Sequence, residues 1–99
     1  MSVKNIKIEY NIVSNTIPIL KKQLYNSLSN GDFVKLALDF TSVEKIDSVG
    51  LGCLISLHNN LTNDDKILEI TNISNSLHEV LRNMQMDRLF EIKKRLLWA

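Results

Sequence analysis

The sequence predicts an α/β fold in a single domain, residues 1–99, and three observations lead to it. A chain of 99 residues can bury one hydrophobic core but not two. Hydrophobic residues make up 44% and charged residues 23%, which is typical of a globular protein. Segments of strand and helix periodicity alternate along the chain, and such alternation typically packs helices onto a sheet.

The first three elements are a strand, a helix and a strand. Strict alternation of apolar and polar residues predicts a strand that ends at about Ile12. Over residues 14–31 apolar residues recur every three or four positions, which predicts an amphipathic helix with Pro18 in its first turn and Gly31 at its end. The short apolar run "DFVKLALDF" then predicts a central strand covered on both faces.

The second half continues the alternation with a helix, a strand and a helix. A polar connection leads to a helix from Ser48 to about Asn63. "KILEIT" is a strand candidate, and "NSLHEVLRNMQM" predicts a helix whose apolar face is Leu77, Val80, Leu81 and Met84, with Ser74 or Ser76 as N-cap. The tail "DRLFEIKKRLLWA" fits either a strand or a helix, and its Leu96 and Trp98 are expected to pack on the domain.

Charge and cysteine content exclude several classes of function. The formal net charge of +1 gives no overall field to attract nucleic acid or an anionic membrane. Cys53 is the only cysteine, so an internal disulfide is impossible, and it is expected to fill space in the core. No signal peptide or membrane-spanning segment is apparent. These features predict a cytoplasmic protein that neither binds nucleic acid nor inserts into a membrane.

The loop "EKIDSVG" is the candidate functional site, because it follows the central strand and precedes a helix. Ser48 has two interpretations. As an N-cap it would stabilise the helix by about 1 kcal/mol. Alternatively it accepts a phosphoryl group, which a helix N-terminus tolerates through its free N–H groups and its dipole. Gly50 and Gly52 disfavour a helix by roughly 1 kcal/mol each, so they imply either close backbone packing or an uncovered first turn.

Asp47 precedes this serine, and the sequence leaves its role open. It can orient the hydroxyl of Ser48, position a basic group of a partner, or cap the loop. A phosphate beside it would add about −1.5 to −2 charges and repel an acidic partner surface.

The stretch "LDFTSVEKIDSVGLGCLISL" resembles the central signature of STAS domains, in particular bacterial anti-sigma factor antagonists. "NSLHEVLRNMQMDRLFEI" resembles the next helix of that family more loosely. The resemblance implies a mixed central β-sheet with helices mainly on one face, although one N-terminal strand is apparent here where relatives often have two. It also implies a partner-binding surface, made up of Asp47, Ser48, Val49, Gly50, Leu51 and Gly52.

In that family the serine after the aspartate is phosphorylated by the anti-sigma factor, a GHKL-type serine kinase. The unphosphorylated form captures the kinase and releases a sigma factor. Carried over to this chain, the phosphoacceptor is Ser48, and the implied partners are such a kinase and a phosphatase. The family's small members are often monomers, which predicts a monomer here.

Two other classes of function remain open. The sequence also resembles the STAS accessory subunit of ABC-type phospholipid transporters, in which Ser48 would bind the ATPase by hydrogen bonds and stay unphosphorylated. A scaffold or output module of another phosphorelay is the third. An enzyme is the least expected class, because no catalytic arrangement is apparent. The spacing of His58 and His78 predicts no metal site, and no cofactor motif is present.

Overall fold

Strands and helices alternate along the chain, and the computed structural model describes residues 2–28 and 31–94. The strands in these residues are β1 (Val3–Lys7), β2 (Lys35–Asp39), β3 (Ile67–Ile73) and β4 (Glu91–Lys94). The α-helices are α1 (Ile17–Leu28), α2 (Ser48–Asn63) and α3 (Asn75–Asn83). Short 3₁₀ turns cover Ser14–Thr16 and Met86–Arg88.

The described strands form one sheet in the order β1-β2-β3-β4, and every pair of neighbours is parallel. The α/β class predicted from the sequence is therefore confirmed. The predicted mixed sheet is wrong for the described strands, because all of their pairings are parallel. Each strand is separated from the next by a helix, and such a crossover returns the chain parallel to the strand it left. In residues 2–28 and 31–94 no antiparallel strand is added to this sheet.

The two faces of the sheet differ in chemistry. In register across the four strands, one face carries the apolar row Ile6, Leu38, Ile70 and Ile92. The three helices bury their leucines against this face, as expected from consecutive right-handed crossovers. The opposite face is polar, and there Glu69 is only 4% exposed. Its carboxylate oxygen Oε2 lies 3.5 Å from the ammonium of Lys35 and 3.4 Å from that of Lys93.

The first strand is shorter than predicted. Regular pairing ends at Lys7, although Ile8 and Ile12 are fully buried, as their alternation indicates. Beyond Lys7 the backbone N–H of Ile8 still donates to the carbonyl of Asp39 over 3.0 Å, and Ile12 forms an isolated parallel bridge with Ile46. The alternation therefore reports burial correctly, but it extends past the end of β1.

The remaining elements lie close to their predicted positions. Ser74 is the N-cap of α3 and accepts a 3.2 Å hydrogen bond from the N–H of Leu77. The helix ends at Asn83, earlier than predicted. The ambiguous tail contributes β4, and the predicted packing of Leu96 and Trp98 lies outside the described residues.

Two side chains noted in the sequence lie on α2. His58 is half-buried, and its ring meets that of Phe90 edge to face with centroids 5.6 Å apart. This contact was not apparent in the sequence. Cys53 packs partly buried against the core, and this burial raises the pKa of its thiol. A raised pKa leaves less reactive thiolate at neutral pH.

Candidate functional site

Two loops meet at the carboxyl edge of the sheet: residues 8–16, which follow β1 and are called the β1 loop here, and residues 40–47, which follow β2. Asn11 holds them together, because its side-chain oxygen accepts hydrogen bonds from the N–H groups of Glu44 (2.8 Å) and Lys45 (3.1 Å). One residue later, the N–H of Ile12 donates to the carbonyl of Lys45 over 3.0 Å. The start of α2 is thus fixed against the β1 loop.

Gly50 lies where these two segments come closest. A Cβ atom built on it would stand 2.1 Å from the carbonyl oxygen of Ile12 and 2.8 Å from the Cγ2 of the same residue. That carbonyl oxygen already accepts a hydrogen bond from the N–H of Asp47 over 3.2 Å. Of the two explanations for this glycine, close backbone packing is the one that the geometry supports.

Asp47, rather than Ser48, is the N-cap of α2. One of its carboxylate oxygens, Oδ1, accepts a 2.7 Å hydrogen bond from the N–H of Gly50. The other, Oδ2, accepts a 2.8 Å bond from the N–H of Ser14, which lies in the β1 loop. These hydrogen bonds, first the one from Gly50, lower the pKa of the Asp47 carboxyl. Asp47 is therefore ionised at neutral pH and joins the helix start to the neighbouring loop.

Replacing Asp47 by asparagine is expected to lower the free energy of unfolding at neutral pH. The amide keeps one acceptor oxygen, so the bond from Gly50 can persist, but its NH₂ group cannot accept from Ser14. Because the folded-state pKa is lowered, the carboxylate stabilises the fold above its unfolded-state pKa of about 3.9 and loses this effect as pH falls through the folded value.

Urea unfolding at pH 7 and at pH 3 measures this dependence. We expect a difference between wild type and Asp47→Asn at pH 7 that shrinks at pH 3. Asp64→Asn changes an exposed carboxylate at the opposite end of α2 and is the matched control. An Asp47 difference that is the same at both pH values would contradict the role of its ionised form.

Ser48 is the first residue of α2, and its side chain is exposed. Among the described residues none forms a hydrogen bond with its hydroxyl. The N-cap interpretation of Ser48 is therefore wrong, because the carboxylate of Asp47 occupies that position. A free hydroxyl at a helix N-terminus is available to an external group.

Gly52 lies one helical turn beyond Ser48 on the same side of α2. A Cβ at Gly52 would have no atom within 4 Å, so the space above it is open. Helical side chains lean toward the N-terminus and cover the preceding turn. The absence of a side chain at Gly52 therefore leaves Ser48 uncovered.

The six residues predicted to bind a partner differ in exposure, and Asp47 is half-buried. Ser48, Val49 and Gly52 are exposed, and Val49 is an apolar side chain that is 52% exposed. Gly50 and Leu51 are buried, so they can shape this surface only from beneath. Sequence patterns did not indicate Asn11 or Ser14 at this site, since neither belongs to a recognisable motif.

A small cleft opens beside Ser48, between the start of α2 and the end of α3. Its volume is about 90 Å³, and Val80 and Met84 line it with Leu81. The sequence placed all three on the apolar face of α3, but only Leu81 is buried. Val80 is 43% and Met84 47% exposed, because the core takes only the strip formed by Leu77 and Leu81.

No group of three His, Cys, Asp or Glu side chains in residues 2–28 and 31–94 has the arrangement of a metal site. None of the helices in these same ranges combines the length and apolar character needed to cross a membrane.

Comparison with known proteins identifies a family and two similar folds. The STAS domain family matches residues 2–97. A Thermotoga maritima protein, provisionally described as an anti-sigma factor antagonist, has a similar structure with a TM-score of 0.82 and 20% identity, over 93% of this chain and 79% of that one. A sulfate transporter family protein from Wolinella succinogenes has a TM-score of 0.81 and 16% identity, over 95% of this chain and 78% of that one. At these identities the two structures show a shared fold.

Proposed function

Because the chain belongs to the STAS domain family, we propose that it is an anti-sigma factor antagonist, switched by phosphorylation of Ser48. In its unmodified form it binds a GHKL-type serine kinase that acts as the anti-sigma factor, and a sigma factor is released. The phosphorylated form does not bind, and a phosphatase restores it. The chain itself is the substrate of this reaction and performs no catalysis.

The observation that carries the proposal is the hydroxyl of Ser48 at the exposed start of α2, to which none of the described residues hydrogen-bonds. In the transfer, the Oγ of Ser48 attacks the γ-phosphorus of ATP held by the kinase. The bond from Oγ to phosphorus forms, ADP leaves, and the hydroxyl proton passes to a base of the kinase. No capping bond of α2 is broken, since Asp47 makes those bonds.

The open surface above Gly52 supports an approach of this kind. A kinase must bring the phosphorus of ATP within bonding distance of the Oγ of Ser48, and a side chain over the first turn would obstruct it. Glycine at this position lowers helix propensity by about 1 kcal/mol relative to alanine. Since a Cβ added at Gly52 would meet no other part of the described chain within 4 Å, packing does not require this glycine, and access to Ser48 gives it a function.

The local charge supports the switch. Asp47 is ionised at neutral pH, because its pKa is lowered by backbone hydrogen bonds. A phosphate on the neighbouring residue adds about −1.5 to −2 charges, which concentrates negative charge at one edge of the sheet. The helix dipole at the start of α2 favours this charge within the chain. Repulsion is therefore directed at a partner's acidic surface rather than at the fold.

Phosphate transfer by a purified partner tests the proposal directly. The probe is the GHKL-type anti-sigma kinase of the same organism, with ATP, and the readout is intact mass followed by peptide mapping. We expect one phosphate on the wild type at Ser48 and none on Ser48→Ala. Ser56→Ala removes another exposed serine of α2 and should accept phosphate like the wild type.

The transporter-accessory function makes the opposite prediction at the same residue. There the wild type would carry no phosphate in cells, and it would copurify with a transporter ATPase to which the hydroxyl of Ser48 donates a hydrogen bond. Unchanged phosphate incorporation in Ser48→Ala, or this copurification without phosphate, would overturn the proposed switch.

A further inference from the structure

We propose that the cleft between α2 and α3 receives one apolar side chain of the kinase partner, so that docking and phosphate acceptance use adjacent but separate groups. This inference rests on the function proposed above, and it names the chemistry by which the partner is held. The cleft is the space beside Ser48 lined by Ile46, Leu51, Val80, Leu81 and Met84.

The lining of the cleft selects an apolar occupant. Leu51 and Leu81 form its buried wall, while Val80 and Met84 form an exposed rim. Its polar side chains are Asp47 and Ser48 at one end, and the carboxylate of Asp47 is already bonded to two N–H groups. The hydroxyl of Ser48 and the carboxylate of Asp47 can bind a polar group only at that end of the cleft. A charged or strongly polar group placed between the leucines would lose its hydration without reaching either of them.

The size of the cleft limits the occupant to a single side chain. Its volume is about 90 Å³, whereas sites for cofactors and other small molecules usually measure roughly 300–1,000 Å³. An apolar cavity of about 150 Å³ in another protein binds benzene. An aliphatic side chain of a docked protein fits these limits, and a nucleotide does not.

Position identifies which protein supplies that side chain. Ser48 itself lines the cleft, so a kinase that brings ATP to the hydroxyl must also stand over the rim. The rim continues through Val49, which is 52% exposed beside Ser48. Methionine at position 84 adapts its shape to an incoming group, as is common on protein-binding surfaces. The docked kinase would remove all three exposed side chains from water.

Lysine substitutions at the rim test this docking mode. Val80→Lys and Met84→Lys each place a cation at the cleft, and positive charge near the C-terminus of α3 favours the helix. We expect each to weaken binding of the purified GHKL-type kinase roughly tenfold or more, as for a central contact of an interface. Ile19→Lys is the matched control, because this isoleucine of α1 is 57% exposed and lies outside the cleft. Its dissociation constant should equal that of the wild type.

Titration calorimetry gives the dissociation constants, and circular dichroism verifies the fold of each variant. Met84→Ala is the second variant if a lysine prevents folding, and it should also weaken binding. Unchanged affinity in folded rim variants, with Ser48 phosphorylated normally, overturns the cleft assignment and leaves the proposed function intact. A wild type that neither binds the kinase nor accepts phosphate overturns both.

Sedimentation velocity of the protein alone tests the other occupant. We expect the wild type and Met84→Lys to sediment alike. Self-association of the wild type that Met84→Lys abolishes, with kinase binding unaltered, would assign the cleft to a second copy of this chain and overturn the proposal.

Discussion

Replacing Gly50 by alanine is expected to destabilise the protein by about 3 kcal/mol or more, which is at the upper end of the range for overpacked sites. The added methyl group would stand 2.1 Å from the carbonyl oxygen of Ile12, less than the contact distance of the two atoms. Ile12 cannot move aside freely, because its N–H and carbonyl groups are bonded to Lys45 and Asp47. The start of α2 would have to separate from the β1 loop.

Gly52→Ala is the matched control for this substitution. It adds the same methyl group to the same helical turn, where no atom lies within 4 Å. We expect it to raise the free energy of unfolding by about 0.5–1 kcal/mol through helix propensity alone. Equilibrium unfolding in urea measures both variants. A Gly50→Ala protein as stable as the wild type would show that the loop can yield, contrary to this account.

These two glycines illustrate what the sequence can and cannot predict. Their low helix propensity indicates that each must serve some purpose at the start of α2. The sequence offers the same two explanations for both positions, close packing or an open surface. Which explanation applies depends on the path of Ile12, which is distant in the sequence and next to Gly50 only in the fold. Local pattern therefore locates the site, and tertiary contacts assign the roles.

The capping residue of α2 illustrates a second limit. Asp47 and Ser48 are adjacent, and aspartate and serine are almost equally favoured as N-caps, so propensity cannot choose between them. The choice is decided by the hydrogen bond that Asp47 accepts from the N–H of Ser14, a residue 33 positions earlier. Fixing the carboxylate between two segments makes Asp47 the cap and leaves the hydroxyl of Ser48 free.

Helical periodicity predicts the core of α3 but overestimates its width. Leu77, Val80, Leu81 and Met84 satisfy the same spacing, yet a short helix at one end of the helical layer buries only the strip that faces the sheet. The two exposed members then border the cleft beside Ser48. A pattern that fits the core can in this way also include a surface for a partner.

Ser48→Asp is expected to keep the fold and to weaken binding of the GHKL-type kinase by about two orders of magnitude, corresponding to roughly 3 kcal/mol of like-charge repulsion. The new carboxylate stands in the first turn of α2, where the helix dipole favours negative charge, so the thermal stability should be equal to that of the wild type or slightly higher. Ser48→Ala should bind as tightly as the unmodified wild type, because no described residue uses the hydroxyl within the chain.

A second aspartate variant tests whether binding depends on the position of the new charge or only on its presence. Ser56→Asp makes the same change at another exposed serine of α2, two turns further along the helix. Its net charge equals that of Ser48→Asp, so a general repulsion between the two proteins would weaken both variants alike. If only Ser48→Asp lost binding, the charge would act at the docking surface itself, beside the ionised Asp47. If Ser48→Asp bound the kinase as tightly as the wild type, charge at this hydroxyl would not control binding, and the switch would be wrong.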